Sequence, residues 1–419
     1  MEMSNMTLTE SFIGRVSVYS WFPNSVRVSL DNKHIAWVEK HRPAGSPGID
    51  KFIVLVDGKA QYPFYGAIEE NSIIFSSDSN RLAYAAAVAH MGVVKWFVVV
   101  DEKQEKAYDG VTAPVFSPDS KHLAYGAQEG KASFIVLDRK EEEKRYDSVS
   151  SPIFSPDSNH LVYNATLCDK WFVVLDGKEE KQCNGIVKNT PIFSPDSSRV
   201  AYGAVIGIKW FVVLDGKEEK QYDGIAGNLT FSSNSKRLAY SAMRDDKWFV
   251  VVDGEEEKKQ YDGIGTIIFS PDSKRLAYTG QVGNKRFIVV DGKEEGKGYD
   301  NVTAPVFSPD STRWAYAAQE GKMWFVVLDG KEENKRYDVI VTAPVFSPDS
   351  KRLAYVAVTS SWFAGDKWFV VLDAKEVKRY DAIVIRGGGR IAFDSPDSIH
   401  YLAQKGERLF LVQEYIEFP

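Results

Sequence analysis

One short motif recurs along the whole chain of 419 residues. In its regular form it reads Phe-Ser-Pro-Asp-Ser at residues 116–120, followed by Lys-His-Leu-Ala-Tyr. A degraded copy, Val-Ser-Leu-Asp-Asn, occupies residues 28–32. The other copies begin at Phe75, Phe116, Phe154, Phe193, Phe231, Phe269, Phe307, Phe346 and Phe393. Neighbouring copies lie 38 to 47 residues apart, and periods of this length indicate a repeat architecture in which each unit packs on its neighbours.

The fifth copy shows how one unit is built. Pro195 and Asp196 are turn formers, so they separate a first strand from a second. Asp215-Gly216 is the strongest short signal for a two-residue type I′ hairpin. The predicted strands A to D are residues 190–194, 199–204, 209–214 and 217–222. Each unit is therefore expected to be a small antiparallel sheet.

The composition of strands C and D predicts how these sheets are buried. Strand C is apolar at consecutive positions, as in Trp-Phe-Val-Val at residues 210–213, which is typical of a strand covered on both faces. Strand D begins Lys-Glu-Glu in five copies and reads Lys-Glu-Glu-Lys in its regular form, as at 178–181, and charges of this kind protect an outer edge strand. Radially repeated sheets with these properties make an all-β fold, the β-propeller.

The two ends of the chain predict how the ring closes. The last copy supplies strands A to C (390–393, 401–404 and 408–412) but no strand D. At the other end, residues 11–19 form an extra strand, and Tyr19 precedes Val28 by 9 residues as Tyr222 precedes Phe231. We therefore expect residues 1–419 to form one closed propeller of ten four-stranded blades. The strand at 11–19 would complete the blade formed by 390–416. Nine blades, with one terminal unit off the ring, is the alternative.

The sequence Phe-Ser-Pro-Asp-Ser-Lys-Arg-Leu-Ala-Tyr resembles the repeat of TolB-type, WD-like propellers, whose signature is Phe/Trp-Ser-Pro-Asp-Gly-Lys-x-Ile/Leu-Ala-Phe/Tyr. The likeness covers nearly the whole chain and implies the propeller fold. It departs at the family glycine, where this chain has serine in most copies, for example Ser120 and Ser197, and Asn32 in the first copy. The resemblance implies no single function, because such propellers are partner platforms, peptidase gates and enzymes alike.

Composition excludes several classes of function. The net charge is −6 with no basic block, so we expect no nucleic-acid partner. No apolar run approaches the roughly 20 residues that span a bilayer, and we expect no membrane partner. Residues 1–10 lack a secretory signal, which favours a soluble cytoplasmic monomer, or an extracytoplasmic one if a signal has been removed. The two cysteines do not make a disulfide framework, and we expect free thiols.

Departures from the repeat cluster in four blades. The A–B and C–D turns should lie on one rim, which is monotonous, and the B–C and D–A loops on the other, which varies. On the variable rim, blades 9, 10, 1 and 2 carry the irregular loops, and these blades are consecutive in a closed ring. The candidate binding residues there are His41, Arg42, His90, Trp362, Phe363, Arg386 and Arg390. Loops on rigid scaffolds carry function, but terminal repeats are also atypical for reasons of closure.

Other chemical motifs are weak. Four histidines (His34, His122, His160 and His400) share one register after the A–B turn and read as a tolerated rim position. Only His41 and His90 lie on the variable rim, and without a carboxylate or cysteine at ligand spacing we expect no metal and no cofactor. The loop at 386–390, Arg-Gly-Gly-Gly-Arg, is either a flexible loop that attracts anions or a plain linker.

The sequence leaves three functions open. The first is a non-enzymatic binding scaffold for a protein or peptide, or a small polar ligand, with Trp362-Phe363 as its main anchor; folding of that pair back onto the blade is the alternative. The second is an enzyme of lyase or glycan hydrolase type at the channel mouth, near Glu69, Lys188 and Asn228. The third is a purely structural part.

Overall fold

The computed structural model describes residues 6–16, 22–42, 50–360 and 365–416. Within them the strands form ten antiparallel sheets, arranged as a closed β-propeller of ten four-stranded blades. The prediction of an all-β, ten-bladed ring is confirmed. In this part of the chain, helix is confined to two short 3-10 turns, Pro23–Ser25 and Glu70–Ser72, and neither could cross a membrane.

Strands B and C form the middle of every blade. From blade 1 to blade 10 the B strands are Ile35–His41, Leu82–His90, Leu123–Glu129, Leu161–Leu167, Val200–Ile206, Leu238–Arg244, Leu276–Val282, Trp314–Glu320, Leu353–Thr359 and Ser398–Lys405. The C strands are Lys51–Val56, Val93–Val100, Ala132–Leu137, Lys170–Leu175, Lys209–Leu214, Lys247–Val252, Lys285–Val290, Met323–Leu328, Lys367–Leu372 and Arg408–Ile416. The hairpin prediction holds, since Asp215 and Gly216 both have positive φ, as a type I′ turn requires.

Both faces of strand C are buried, as its composition predicts. In blade 5, Phe211 and Val213 pack towards blade 4, in a cluster that includes Val173. Val212 faces the other way and packs against Tyr240 of blade 6. Each apolar sheet face therefore contributes to the junction with a neighbouring blade, which is how a ring of separate sheets shares its core.

Strand A is the inner strand, and it differs from the prediction. In eight blades it is split into an upper and a lower segment. The upper segments are Ala67–Ile68, Gly110–Val111, Ser148–Val149, Gly185–Ile186, Gly224–Ile225, Asn301–Val302, Val339–Ile340 and Ala382–Ile383. The lower segments are Ile74–Phe75, Val115–Phe116, Ile153–Phe154, Ile192–Phe193, Thr230–Phe231, Val306–Phe307, Val345–Phe346 and Ala392–Ser395, with Arg27–Val28 in blade 1. Blade 7 has the continuous strand Gly263–Phe269.

In seven of the eight split blades, all except blade 10, the split has a side-chain cause. In blade 5 the Oγ1 of Thr190 accepts a hydrogen bond from the Gly203 N–H of strand B, at 3.3 Å, in place of a ladder bond. Gly185 and Ile186 already pair with strand B, so the observed strand A begins five residues before the predicted start at residue 190. We call this contact the strand A bridge.

Strand D is the outer strand and has a bulge in its ladder. Its regular parts are Lys59–Tyr65, Lys103–Gln104, Lys140–Glu141, Lys178–Glu179, Lys217–Tyr222, Glu255–Glu256, Lys293–Tyr299, Lys331–Glu332 and Lys375–Glu376. The bulge shifts the register by one residue, so Cys183 lies opposite Trp171 and not Lys170 as a regular hairpin would place it. Cys183 is buried, Cys168 is exposed, and both are free thiols.

The N-terminal strand completes blade 10, as expected. It spans Met6–Arg15 and pairs along the C strand of that blade, from Met6 opposite Ile416 to Arg15 opposite Arg408. The predicted bounds, 11–19, are wrong, and so is the spacing that motivated them. Gly14, not Tyr19, lies opposite Leu409, where other blades place a tyrosine opposite tryptophan. Tyr19 falls outside the described residues.

Serine bridges explain why the Pro-Asp-Ser rim is uniform. The Oγ of Ser158 in blade 4 accepts a hydrogen bond from the Asp119 N–H in blade 3, at 3.0 Å. The same bond, at 2.9–3.2 Å, links every pair of neighbours from blade 1 to blade 9 through Ser79, Ser120, Ser158, Ser197, Ser235, Ser273, Ser311 and Ser350. These serines have φ of 62–66°, the left-handed region in which glycine is less strained. The hydroxyl supplies an inter-blade bond that the family glycine cannot.

The Lys-Glu-Glu-Lys strands are not merely solvated edges, which corrects the prediction. Buried tyrosines on strand B donate to the second glutamate of the preceding blade, for example Tyr163 to Glu142 at 2.7 Å and Tyr278 to Glu257 at 2.6 Å. At the closing blade, Tyr380 donates to Glu10 of the N-terminal strand at 2.7 Å. The glutamates therefore tie neighbouring blades together at several junctions, although the hydroxyls of Tyr84 and Tyr202 have no such partner among the described residues.

Candidate functional site

The variable rim, which we call the loop rim, carries the D–A and B–C loops. In blade 4, Asp147 of the D–A connection accepts a hydrogen bond from the Cys168 N–H of the B–C turn, at 2.7 Å. On the opposite turn rim, His160 after the A–B turn lies 2.7 Å from Asp176 of the C–D turn. This is the division of loops that the repeat predicts.

The shared histidine position is structural in all four of its copies. His34, His122 and His160 each pair with the aspartate of the C–D turn, as Arg199 pairs with Asp215 at 2.9 Å. The hydrogen bond that the His160 ring donates to the Asp176 carboxylate raises the pKa of His160. In blade 10, His400 is buried and its Nε2 lies 3.0 Å from the carbonyl oxygen of Asp31 in blade 1. All four lie on the turn rim and belong to the framework.

His41 ends the B strand of blade 1, Arg42 follows it, and both are exposed. The His41 ring stacks on Phe64 of the outer strand, with 4.8 Å between centroids. The guanidinium of Arg42 donates to Asp50 at 2.9 Å, so its charge is neutralised within the blade. Both side chains are available at the surface, but each already has a partner.

His90 belongs to a projecting apolar hairpin. The B and C strands of blade 2, Leu82–His90 and Val93–Val100, extend two residues further than in most blades. The tip exposes Met91 at 91% and also Val88, Val93 and Val94 at 41–56%. In the B–C turn of blade 5, the corresponding exposed apolar residues are Ile208 and, beside it, Ile206. The blade 2 tip is thus an apolar surface patch and not a histidine site.

The aromatic pair Trp362 and Phe363 lies outside the described residues, so its role stays a prediction. Thr359 ends the B strand of blade 9 and Lys367 begins its C strand. The loop between them carries the pair.

The loop 386–390 is packed and not a free linker. The carbonyl of Gly387 accepts a hydrogen bond from the Val28 N–H of blade 1 at 2.7 Å. A Cβ at Gly387 would lie 1.8 Å from the Val26 carbonyl oxygen, so only glycine permits this approach. Arg390 donates to the Leu30 carbonyl at 2.8 Å, on the turn rim, and does not join the other candidates. Arg386 is exposed, and its guanidinium makes no ion pair or hydrogen bond with any residue that the structure describes.

A cavity of about 300 Å³ lies beside Arg386, where blades 9, 10 and 1 meet. Its walls are mainly aliphatic side chains from strand A of blade 10, such as Ile383 and Ile385, with Trp368 of blade 9 and Val26 of blade 1. Arg386 is the charged residue among the described residues that line it. Apolar walls with one polar group fixing orientation are typical of a small-ligand site.

Blade 10 has this cavity where other blades have the strand A bridge. In the described residues the bridge occurs in blades 1 to 6, 8 and 9, through Ser25, Ser72, Thr112, Ser150, Thr190, Asn228, Thr303 and Thr342. In blade 10, Val384 stands in its place, and eight residues separate the two A segments against three in blade 3. The sequence analysis did not predict the cavity. Val384, which has no hydroxyl at the bridge position, could have indicated it.

Blade 7, which also lacks the bridge, has a second cavity of about 300 Å³. It is lined by Gly263, Thr279 and Gln281, and by Arg286, whose guanidinium donates to Asn301. This cavity is polar, and its arginine already has a partner. The two cavities therefore differ in both walls and charge.

Two polar residues of the channel mouth are held by hydrogen bonds. Arg27 donates to Asn71 at 3.2 Å, and Asn228 donates to the Gly265 carbonyl at 2.8 Å. Within the described ranges, no three His, Cys, Asp or Glu side chains are placed to hold a metal ion.

Blade 10 also holds two carboxylates, Glu414 and Glu10, whose pKa values are shifted in opposite directions. Val377 stands where blade 8 has Glu333, and Tyr401 donates instead to Glu414 of its own blade, at 2.5 Å. Glu414 is 1% exposed, and burial raises its pKa to about 7. Burial alone would also raise the pKa of Glu10, but hydrogen bonds from Lys405, Tyr380 and Lys378 outweigh it and lower that pKa to about 2.

Comparison with known proteins gives only distant likenesses. No family model matches the chain, and no curated protein matches it. Among solved structures, a eukaryotic initiation factor aligns with a TM-score of 0.44 and 13% identity, over 86% of this chain and 95% of its own. The propeller domain of the Trilobed protease from Pyrococcus furiosus gives 0.31 and 15%, over 60% and 91%. The tricorn protease gives 0.34 and 13%, over 91% of this chain and 51% of its own. At these values the fold assignment rests on the sheet topology itself.

Proposed function

We propose that this chain is a non-enzymatic binding scaffold that holds a protein or peptide partner on the loop rim of blades 9, 10, 1 and 2. The observation that carries the proposal is the apolar tip of the blade 2 hairpin, where Met91, Val93 and Val94 are exposed together. Exposed apolar patches rimmed by polar residues mark interaction sites in soluble proteins. The resemblance of the repeat to TolB-type propellers, some of which are partner platforms, is in line with this role.

The rest of the surface supports the proposal by contrast. On the turn rim, the aspartates and serines of the repeat are engaged in turn and inter-blade hydrogen bonds, as for Asp119 and Ser158. At the channel mouth, Arg27 bonds to Asn71 and Asn228 bonds to the Gly265 carbonyl, so these polar groups are part of the framework. On the loop rim of blades 9, 10, 1 and 2, exposed groups remain that these framework hydrogen bonds do not use.

The test compares two hairpins. Met91→Gln with Val93→Thr and Val94→Thr makes the blade 2 tip polar, and Ile206→Thr with Ile208→Thr does the same for blade 5. Both variants should melt as the parent does, because the changed side chains are exposed. Partner capture from native lysate should fall at least tenfold with the blade 2 variant and persist with the blade 5 variant. Equal capture by all three proteins would contradict the proposal.

A further inference from the structure

We propose that the cavity between blades 9, 10 and 1 is a binding site for a small amphipathic carboxylic acid, which places its apolar body in the cavity and its carboxylate on Arg386. The site goes beyond the partner surface proposed above, since it needs neither the blade 2 hairpin nor a macromolecule. Three features of the cavity lead to this ligand class: its walls, its single free charge and its size.

The walls select an apolar body. Val341 and Trp368 of blade 9 line one side and Val26 and Leu409 the other, with the isoleucines of strand A between them. Val26 and Leu409 are buried in the core cluster of the junction between blades 10 and 1, so this part of the site is preformed. Filling it with hydrocarbon is favoured at roughly 25 cal/mol for each Å² removed from water.

The charge selects a carboxylate. The guanidinium of Arg386 has no partner among the described residues, and the neighbouring Arg390 is held on the turn rim by Leu30. A single guanidinium matches the two oxygens of a carboxylate in a bidentate pair. Phosphate sites instead combine several donors, often backbone N–H groups at a helix N-terminus, and blade 10 has no helix.

The loop geometry holds the charge at the cavity mouth. The carbonyl of Arg386 accepts from the Gly389 N–H at 3.1 Å, and Gly387 is fixed to Val28. Gly387 has φ +61° and Gly388 has φ +93°, and residues other than glycine rarely adopt such positive φ angles. The arginine therefore sits on a fixed turn and not on a loose linker, which reduces the ordering cost of binding.

The size of the cavity excludes large ligands. A volume of about 300 Å³ is at the lower end of the range for small-molecule sites, roughly 300–1,000 Å³. It suits one ring with a short chain. A peptide C-terminus with an apolar last residue has related chemistry and is the competing occupant in the test.

The experiment is calorimetric titration of the full chain with matched probes. These are 4-phenylbutyrate, its neutral analogue 4-phenylbutan-1-ol, and the peptide acetyl-Ala-Ala-Phe with a free C-terminus. Arg386→Gln removes the charge of this cavity, and Arg286→Gln makes the same change at the polar cavity of blade 7. Arg386 is exposed, so its variant should fold, and the melting temperature checks this.

We expect 4-phenylbutyrate to bind the parent protein and the Arg286→Gln variant equally, and at least tenfold more weakly to Arg386→Gln. The alcohol should bind more weakly than the acid to the parent and be unaffected by either change. Equal binding of acid and alcohol, or no binding of the acid, would overturn the proposal. Tighter binding of the peptide than of the acid would overturn it in favour of a peptide terminus. This test is independent of the proposed function, because binding of 4-phenylbutyrate does not depend on whether the blade 2 hairpin variant loses partner capture.

Discussion

The eight junctions between blades 1 and 9 differ from the two junctions that blade 10 makes. Each of the eight has a serine Oγ that accepts from the preceding blade, as Ser197 does from Asp157. Of the residues that the structure describes, blade 10 has instead an ion pair of Arg352 with Asp397 at 3.6 Å on one side and Asn32 with the Arg390 backbone on the other. The repeated residues are thus bonded to the next copy.

This difference explains why the turn rim is uniform and why the sequence of blade 10 departs from the repeat. Each serine hydroxyl must meet the backbone N–H of the aspartate position in the preceding blade, so the turn must have the same form in each of these blades and the turn rim repeats. At blade 10 the sequence must join the two ends of the chain, and the N-terminal strand and the loop 386–390 provide that joint. The joint leaves an unbridged strand A with a cavity and an unpaired arginine. Closure and the proposed binding site therefore occupy the same part of the molecule.

The largest expected effect comes from removing the closing strand. Deleting residues 1–16 strips the C strand of blade 10 of its partner and exposes it as an edge. Since each lost backbone hydrogen bond is worth about 1 kcal/mol, we expect a loss on the order of 5 kcal/mol in the free energy of unfolding, with aggregation. Urea unfolding and light scattering measure both. Deletion of residues 1–5 alone is the control, and unchanged stability of the longer deletion would refute closure by this strand.

A second prediction compares the same kind of bond in two places. Tyr401→Phe leaves the buried carboxylate of Glu414 without its donor, which should cost about 2 kcal/mol. Tyr163→Phe removes the bond to Glu142, a half-buried group that water can reach, and should cost about 1 kcal/mol. Denaturant unfolding of both variants measures the difference. A larger loss for Tyr163→Phe would show that blade 10 is not the more sensitive junction.

Glu414 should also give the protein a pH dependence. Its pKa is about 7 in the folded state against an ordinary value of 4.5, so the folded protein retains a proton that the unfolded chain releases. The stabilisation is fully present below pH 4.5 and is lost as the pH rises to 7. Glu414→Gln keeps the shape of the side chain and should flatten that part of the pH profile of unfolding. An unchanged slope would show that Glu414 does not titrate in this window.

The smallest effect concerns the serine bridges. Ser197→Ala removes the bond to Asp157 and keeps a side chain at φ 65°, so it should cost about 1 kcal/mol. Ser197→Gly loses the same bond but relieves the strained backbone by up to about 1 kcal/mol, and should be nearly neutral. Thermal unfolding of the two variants decides this. Equal losses would mean that the backbone strain is negligible.

The sequence predicted those features that depend on neighbours along the chain. The type I′ turn at Asp215-Gly216, the C strand at 209–214 and the D strand at 217–222 follow from local turn chemistry and hydrophobic pattern. The number of blades follows from the number of repeats. Closure by the N-terminal strand was predicted although its bounds were wrong, because the missing strand D required a partner whatever its register.

Contacts between copies could not be predicted in this way. The bond from Asp157 to Ser197 joins residues 40 positions apart, and the pair Tyr163–Glu142 spans 21. Both depend on how one sheet is rotated against the next, which residue spacing does not specify. The same holds for the cavity, since Val26 and Trp368 meet only when the ring is closed.

Site-specific photo-crosslinking tests the central claim, that the partner binds to the loop rim of blades 9, 10, 1 and 2 and not to that of the regular blades. Benzoylphenylalanine would replace Met91 at the blade 2 tip in one protein and Ile208 at the blade 5 tip in another, positions 91% and 84% exposed. After irradiation in native lysate, position 91 should give a discrete crosslinked product and position 208 none. A product from position 208 alone, or the same product from both positions, would contradict the account.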